Sequence, residues 1–311
     1  METPIRQSRP GLLLYGKLGK TSGRLCKSFP RVKDVSISAS GGIDGGFVEA
    51  RGAMVRFRLK EVSMVKTGFV GFFDILGYKS FMKNNDLPTV ATLIHETLLT
   101  LPQKTKEKIK ARDWRFRELE EENLNPIETL VISDSFVFLL PVSDLTPNVK
   151  LTRTLTFVHY AETFVREMFH SGLPVRGAID YGEFFAEDHC FAGKPIMHCH
   201  QLAEELELSG GVVSSAATCK ITELLGLLDT RVPRDDLGLM YLVPKKGECS
   251  ERLFLLDWWD HEKNHSDIRQ AVFEAFQGHR KDIRENVYPK LENTELSIRA
   301  LVKYHRDRNK K

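Results

Sequence analysis

The fold of this chain is decided by one stretch near the end of its first quarter, Thr67-Gly68-Phe69-Val70-Gly71-Phe72-Phe73-Asp74-Ile75-Leu76-Gly77-Tyr78-Lys79. The apolar run 68–73 is rich in aromatic and β-branched residues, which favours a strand buried on both faces. The run ends at Asp74, and Gly77 allows a tight turn before a helix that begins near Tyr78. An acid between a buried strand and a helix start lies at a rim, where it can bind a cation beside an anion. The stretch therefore predicts a site for a metal-bound phosphate.

A second acid lies in a predicted hairpin turn. Two apolar runs within 128–140 flank Ser133-Asp134-Ser135, and small polar residues of this kind suit a tight turn. By itself Asp134 is typical of an ordinary turn residue. If its strand lies next to the Asp74 strand, however, the two carboxylates converge. Two acids placed in this way can share two divalent ions roughly 3.5–4 Å apart, the arrangement used for in-line phosphoryl displacement.

The segments that follow complete an α+β pattern. A helix is predicted over 148–170, a strand over 173–183, a helix over 196–208 and a short strand at 212–213. The order strand, helix, hairpin, helix, strand is that of a ferredoxin-like palm, with helices on one face of a mostly antiparallel sheet. The other face is expected to be free for a nucleotide and a partner subunit. Arg176, on the predicted strand, fits a phosphate contact or a structural ion pair, and the sequence leaves both open.

Five motifs in a fixed order resemble one enzyme family. They are FFDILGY (72–78), VISDS (131–135), VRGAIDYGE (175–183), AGKPIMHCHQLAEELE (192–207) and GGVVSS (210–215). Together they resemble the catalytic domain of class III nucleotidyl cyclases, and above all the pyrimidine (uridylate and cytidylate) cyclases of the bacterial Pycsar anti-phage defence system. The likeness spans roughly half of the chain.

The resemblance assigns metal ligands. Asp74 and Asp134 match the two metal-binding, catalytic acids of the family, and the carbonyl of Ile75 matches its backbone metal ligand. The implied cofactors are two Mg²⁺ or Mn²⁺ ions per active site. The resemblance also implies a homodimer with its active sites at the subunit interface.

The resemblance assigns nucleotide contacts as well. The turn formed by Leu76, Gly77 and Tyr78 matches the triphosphate-binding turn, and Phe72 lies where contacts to the base or sugar occur. Purine cyclases carry a transition-state Asn and, four residues later, an Arg on the following helix. The cation that replaces this Arg is expected from Lys194, His198 or His200.

Other positions depart from the purine enzymes. Met197 and Gln201 stand where the Asn and Arg are expected, and the two adenine-reading positions hold Leu130 and Cys190. Neither of the last two side chains can make the charged hydrogen bonds that read adenine. The departures therefore argue against an adenylate cyclase.

Composition and charge divide the chain into three parts. Residues 1–63 form a basic leader that is expected to be disordered, with twelve basic and four acidic residues in 1–60. Residues 64–226 are the predicted catalytic domain. Residues 227–311 are a C-terminal extension of strands and helices, with helices predicted over 267–286 and 289–306. Five cysteines without a CxxC pair favour a reducing cytoplasm, and no apolar run approaches the ~18 residues of a membrane span.

The sequence thus predicts a phosphorus–oxygen lyase that converts a pyrimidine nucleoside triphosphate to its 3′,5′-cyclic monophosphate and pyrophosphate. UTP is favoured over CTP because no carboxylate is evident to accept from the cytosine amino group. The cyclic nucleotide would signal to a separate effector protein, and no nucleic-acid partner is expected. Two alternatives stay open: a cytidylate cyclase, and a non-catalytic nucleotide-binding regulatory module of the same fold.

Overall fold

The computed structural model describes residues 65–112, 122–187, 190–227, 238–247, 249–259 and 267–310, and the backbone of two short strands before them. Those strands, β1 (Phe47–Ala50) and β2 (Ala53–Arg56), pair antiparallel within a compact unit that ends at Glu61. The segment predicted as a disordered leader thus contains one hairpin, and its other residues lie outside the described ones.

The second compact unit, Val62–Lys311, is built on one eight-stranded sheet. The strand order is β4-β5-β3-β6-β8-β10-β9, with β7 paired to β6. Neighbours pair antiparallel, except that β6 and β8 are parallel. The strands are β3 (Val65–Ile75), β4 (Glu128–Ile132), β5 (Ser135–Pro141), β6 (Val175–Glu187), β7 (Cys190–Gly193), β8 (Gly210–Val213), β9 (Leu239–Lys245) and β10 (Cys249–Leu255).

Helices connect these strands. A π-helical turn over Ile94–Leu98 directly follows the helix Leu87–Leu93. None of the helices in the described ranges combines the length and the apolar character that a membrane span requires. The helices are α1 (Tyr78–Asn84), α2 (Leu87–Leu93), α3 (Leu101–Arg112), α4 (Pro147–His170), α5 (Lys194–Glu205), α6 (Ser215–Leu227), α7 (Ile268–Gln277) and α8 (Tyr288–Arg308).

The predicted α+β palm is confirmed by the topology. Strand β3, helices α1–α3, hairpin β4-β5, helix α4 and strand β6 follow in the ferredoxin-like order, and β3 lies between β5 and β6. This central place explains the apolar run of β3, because Phe69, Val70 and Phe73 are fully buried. Gly177 on β6 gives Phe73 its space, since a Cβ there would lie 2.1 Å from the Phe73 ring.

Helices cover both faces of the sheet, which corrects the expectation of one free face. The Phe73 ring packs against Phe164 of α4, with ring centroids 5.7 Å apart. Phe72 points to the opposite face, where its ring lies 4.9 Å from that of His200 on α5. The reason is the parallel pairing of β6 with β8, since a parallel connection needs a crossover element and α5 supplies it.

The C-terminal residues belong to the same compact unit as the palm. Strand β10 pairs with β8 within the sheet, and α8 buries Leu291, Ile298 and Leu301. The helix predicted over 267–286 is wrong in its second half, because α7 ends at Gln277. The chain turns there through His279, which has a left-handed φ of 56°.

Candidate active site

Three side chains form a row across the rim of the sheet at the end of β3. Asp74 lies opposite Ser135 of β5 on one side and opposite Arg176 of β6 on the other. The Ser135 hydroxyl donates to Asp74 Oδ1 at 3.3 Å, and Arg176 Nη2 donates to Asp74 Oδ2 at 3.4 Å. Arg176 therefore forms an ion pair in this structure and also lines the cleft described below.

The second predicted acid comes to the same rim. Because β3 and β5 are neighbours, the turn Ser133-Asp134 lies beside the end of β3, and the Ile75 amide donates to the Asp134 carbonyl at 3.0 Å. Ser133 takes a left-handed φ of 57°, which a tight hairpin turn of this kind requires. The convergence that the sequence made conditional on strand pairing is thus present, and both acids line one cleft.

The two acids interact electrostatically. Burial raises the pKa of Asp74; the Arg176 guanidinium lowers this pKa, and the charge of Asp134 raises it. The charges of the two acids therefore oppose each other at this rim, and the Arg176 guanidinium partly offsets this beside Asp74. Carboxylate and carbonyl oxygens are also the ligands that Mg²⁺ prefers, so Asp74, Asp134 and the Ile75 carbonyl fit the predicted metal site. Within the described residues there is no cluster of three or more His, Cys, Asp or Glu, so backbone, water or substrate oxygens must complete the coordination.

The turn formed by Leu76, Gly77 and Tyr78 has the tight backbone conformation that the sequence predicted. Gly77 has a φ of 78°, a left-handed value that favours glycine. The Leu76 amide donates to the Pro174 carbonyl at 2.9 Å, so its hydrogen bond is made within the protein and not to a phosphate. Burial raises the pKa of Tyr78, as does the charge of Asp134, and a hydrogen bond with Ser133 lowers it. Tyr78, the first residue of α1, therefore lies next to Ser133 and Asp134 of the β4–β5 turn.

One wall of the cleft comes from the C-terminal part of the chain, which the sequence did not predict. The buried side chain of Lys281 packs on Gly77, where an added Cβ would lie 3.1 Å from Lys281 Cδ. Its ammonium donates to the Gly172 carbonyl at 2.7 Å and to the Ala275 carbonyl at 3.3 Å. Burial lowers the pKa of Lys281 to about 7.

The segment around Lys281, residues 278–282, is bound to α1 and is called the strap below. Asn84 donates to the Arg280 carbonyl at 2.8 Å, and Asn85 donates to the His279 carbonyl at 2.8 Å. The Asp282 amide donates to the hydroxyl of Ser80 at 2.7 Å. The strap thus fixes the helix that follows the Gly77 turn.

The facing wall is the C-terminal end of α5. His200 and Glu204 line the cleft there, next to the Phe72 ring. Arg176 Nη1 donates to the Glu204 carbonyl at 2.8 Å. The cleft has a volume of about 570 Å³, and its lining includes Phe72, Asp74, Leu76, Gly77, Tyr78, Lys79, Asp134, Arg176, His200, Glu204, Lys246, Lys281, Asn286 and Lys290.

The other predicted residues lie elsewhere. Lys194 is the exposed first residue of α5, whereas the cleft meets the far end of that helix. His198 Nδ1 lies 2.9 Å from the buried carboxylate of Asp180 and lines a different, smaller cavity with Gln201. Met197 is 60% exposed. Of the three candidates for the missing cation, the structure brings His200 alone into the cleft of the two acids.

Comparisons with known proteins are limited to solved structures, since no family model and no curated protein matches. One similar structure is the monomeric guanylyl cyclase domain of the RhoGC fusion protein from the aquatic fungus Blastocladiella emersonii, 13% identical with a TM-score of 0.37. The match covers 51% of this chain and 86% of that one. Another is the guanylyl cyclase Cya2, 10% identical with a TM-score of 0.36, over 64% of this chain and 96% of that one. Likenesses this low carry no argument about activity.

Proposed function

We propose that this protein is a nucleotidyl cyclase that converts a pyrimidine nucleoside triphosphate to its 3′,5′-cyclic monophosphate and pyrophosphate. One observation carries the proposal: Asp74 at the end of β3 and Asp134 in the turn between β4 and β5 line one cleft of about 570 Å³. The five motifs that resemble class III nucleotidyl cyclases support the proposal, and so does the palm topology, which is the fold expected from that resemblance.

The chain's own residues have distinct parts in this reaction. Asp74, Asp134 and the Ile75 carbonyl would hold two Mg²⁺ or Mn²⁺ ions, and the turn at Gly77 and Tyr78 would orient the triphosphate. When bound, the ions lower the pKa of the attacking 3′-hydroxyl and neutralise charge on the leaving pyrophosphate. Arg176 keeps Asp74 in place through its 3.4 Å contact and offers a guanidinium to the cleft.

The proposed base is a pyrimidine. Leu130 and Cys190, at the adenine-reading positions of purine cyclases, cannot make charged hydrogen bonds. Phe72 is only 8% exposed and occupies space beside Asp74, which favours the smaller ring. UTP is the favoured substrate and CTP is the alternative. The active protein is proposed to be a cytoplasmic homodimer whose product acts on a separate effector protein in anti-phage defence.

The test is to incubate the purified chain with each of the four NTPs and Mn²⁺ and to measure pyrophosphate and cyclic product. We expect one cyclic pyrimidine nucleotide to dominate. Asp74→Ala and Asp134→Ala should each reduce turnover at least about a thousandfold, since losing a metal removes several kcal/mol of transition-state stabilisation. Both variants should stay folded, because neither acid is fully buried. Dominant cyclic AMP or cyclic GMP would overturn the pyrimidine assignment.

A non-catalytic nucleotide-binding module is the second candidate, because Met197 and Gln201 stand at the transition-state positions. Such a module would bind a nucleoside triphosphate but release no pyrophosphate in the same experiment. The presence of both acids at one rim favours the enzyme, since a binding module has no need of two converging carboxylates.

A further inference from the structure

The eight-stranded sheet ends at β9, and the outer edge of this strand is only partly covered. On its inner side β9 pairs with β10 along its whole length. On its outer side the Pro244 carbonyl accepts from the Glu207 amide at 3.0 Å, and Lys245 forms an isolated bridge with Leu206. Within the described ranges no strand pairs with this outer side. The segment around Leu206 therefore covers only the C-terminal end of the edge.

The Pro244 contact shows which backbone groups of β9 face outward. In an antiparallel pair, successive residues of a strand turn their backbone groups alternately toward the partner strand and away from it. The register with β10 is unbroken from 239 to 245, so Met240 and Leu242 face the same way as Pro244. Their amides and carbonyls thus point away from β10. An edge of this kind is a template for pairing with another strand.

The side chains along this free edge offer apolar surface on both faces of the sheet. Met240 is 48% exposed and Leu242 is 57% exposed, and both lie on one face. Tyr241 lies on the other face, where it lines a groove of about 470 Å³ together with α8. Lys303 and Asp307 of α8 line the same groove. Both are exposed, and neither forms an ion pair with any described residue.

We infer that β9 is a self-association surface, to which a second copy of this chain adds its own β9 antiparallel, about a two-fold axis at Tyr241. Met240 of one copy then lies opposite Leu242 of the other, and their outward backbone groups bond to each other. The arrangement is self-complementary, because these two residues supply donors, acceptors and apolar side chains on both sides. The α8 helices of the two copies run antiparallel, so Lys303 of each copy faces Asp307 of the other.

This contact is separate from the proposed active site. In the sheet, β9 and the strand of Asp74 are separated by β6, β8 and β10, and the groove shares no lining residue with the cleft. The inference therefore does not rest on the proposed function. If the active sites also lie between subunits, two different two-fold contacts give a tetramer. If they do not, the β9 contact alone gives a dimer.

The test is the mass of the purified full chain in solution, measured by sedimentation over a dilution series. Leu242→Lys and Met240→Glu each place a charge opposite an apolar side chain of the other copy. Each variant should halve the mass, whether the wild-type chain is a tetramer or a dimer. The double variant Met240→Glu with Leu242→Lys should restore the wild-type mass, because opposite charges then lie across the two-fold axis.

The matched control is Leu99→Lys, since Leu99 is 58% exposed and lies before α3. It should keep the wild-type mass. Equal masses of the wild-type chain and Leu242→Lys, with both folded by circular dichroism, would overturn the inference. Single variants that halve the mass without rescue in the double variant would overturn the pairing of Met240 with Leu242. Absence of cyclase turnover would contradict the proposed function alone, because these masses do not depend on catalysis.

Discussion

The two walls of the cleft are built in opposite ways. The strap wall is tied by hydrogen bonds to α1 and to the α4–β6 turn, and its Lys281 side chain is 4% exposed with both carbonyl contacts made inside the protein. The α5 wall contacts the sheet through its backbone and the Phe72 ring, and it leaves the carboxylate of Glu204 to the solvent. The comparison separates residues that maintain the cleft from residues available to a ligand.

The same comparison changes the interpretation of the C-terminal part of the chain. The sequence predicted it only as an extension of strands and helices. In the structure it contributes Lys281, Asn286 and Lys290 to the cleft and holds the helix that follows the Gly77 turn. We therefore expect changes in the strap wall to act on stability, and changes in the α5 wall to act on ligand binding.

The largest expected effect comes from deleting residues 288–311, which removes α8. Leu291, Ile298 and Leu301 are buried, and each such side chain contributes about 1.5–3 kcal/mol. Their sum is comparable with the whole stability of a typical domain, about 5–15 kcal/mol. We expect the truncated chain to lose its cooperative thermal transition in circular dichroism.

Deleting residues 1–63 is the matched control for that truncation. These residues precede β3, and the compact unit that contains the sheet begins at Val62. The shortened chain should keep the thermal transition and the nucleotide affinity of the full chain. A truncation at the C-terminus that is tolerated as well as this one would contradict the structural role of α8.

A smaller effect is expected from Asn84→Ala, which removes the contacts to the Arg280 carbonyl and to Asp282. At about 0.5–1.5 kcal/mol for each hydrogen bond, the loss should be about 1–3 kcal/mol in urea unfolding. Lys83→Ala, a change of an exposed residue on the same helix, is the control and should be neutral. Equal effects of the two variants would show that the strap contributes nothing to stability.

The lowered pKa of Lys281 should make the stability of the protein depend on pH. Burial lowers its folded-state pKa to about 7, from an ordinary value of 10.5. Between these values the unfolded chain binds more protons than the folded one, so the free energy of unfolding from this group rises with pH from about 7 to 10.5. Lys281→Met should abolish that rise, which is measured as the difference between the two proteins in urea unfolding at pH 7 and pH 9.5.

The smallest expected effect is that of Glu204→Gln on stability. Its side chain is 58% exposed, and Arg176 uses only its carbonyl. The melting temperature should therefore stay close to that of the wild-type chain, as for other exposed substitutions. A clear loss of stability would show that the Glu204 side chain, like the strap, helps to maintain the cleft.

The central part of the site could be predicted from the sequence because local patterns determine it. The apolar run before Asp74 predicts a buried strand, the small residues around Asp134 predict a turn, and pairing of the two strands brings the acids together. Gly77 was predicted for its turn, and its left-handed φ confirms that reason.

The two walls could not be predicted in this way. Lys281 lies about two hundred residues after Gly77, and no period or motif links them. The face of the sheet that α5 covers depends on the parallel pairing of β6 with β8, which is a long-range contact. His200 was one of three candidates for a cation, and only the packing of α5 against Phe72 distinguishes it from Lys194 and His198.

The most direct measurement of the central claim is a Mn²⁺ titration followed by electron paramagnetic resonance, in the presence of α,β-methylene-UTP. If Asp74 and Asp134 hold the metal ions of a cyclase, the wild-type chain should bind two Mn²⁺ ions per subunit with the nucleotide. Asp74→Ala and Asp134→Ala should each lose at least one of them while keeping the wild-type circular dichroism spectrum. Equal Mn²⁺ binding by the wild-type chain and both variants would contradict the account.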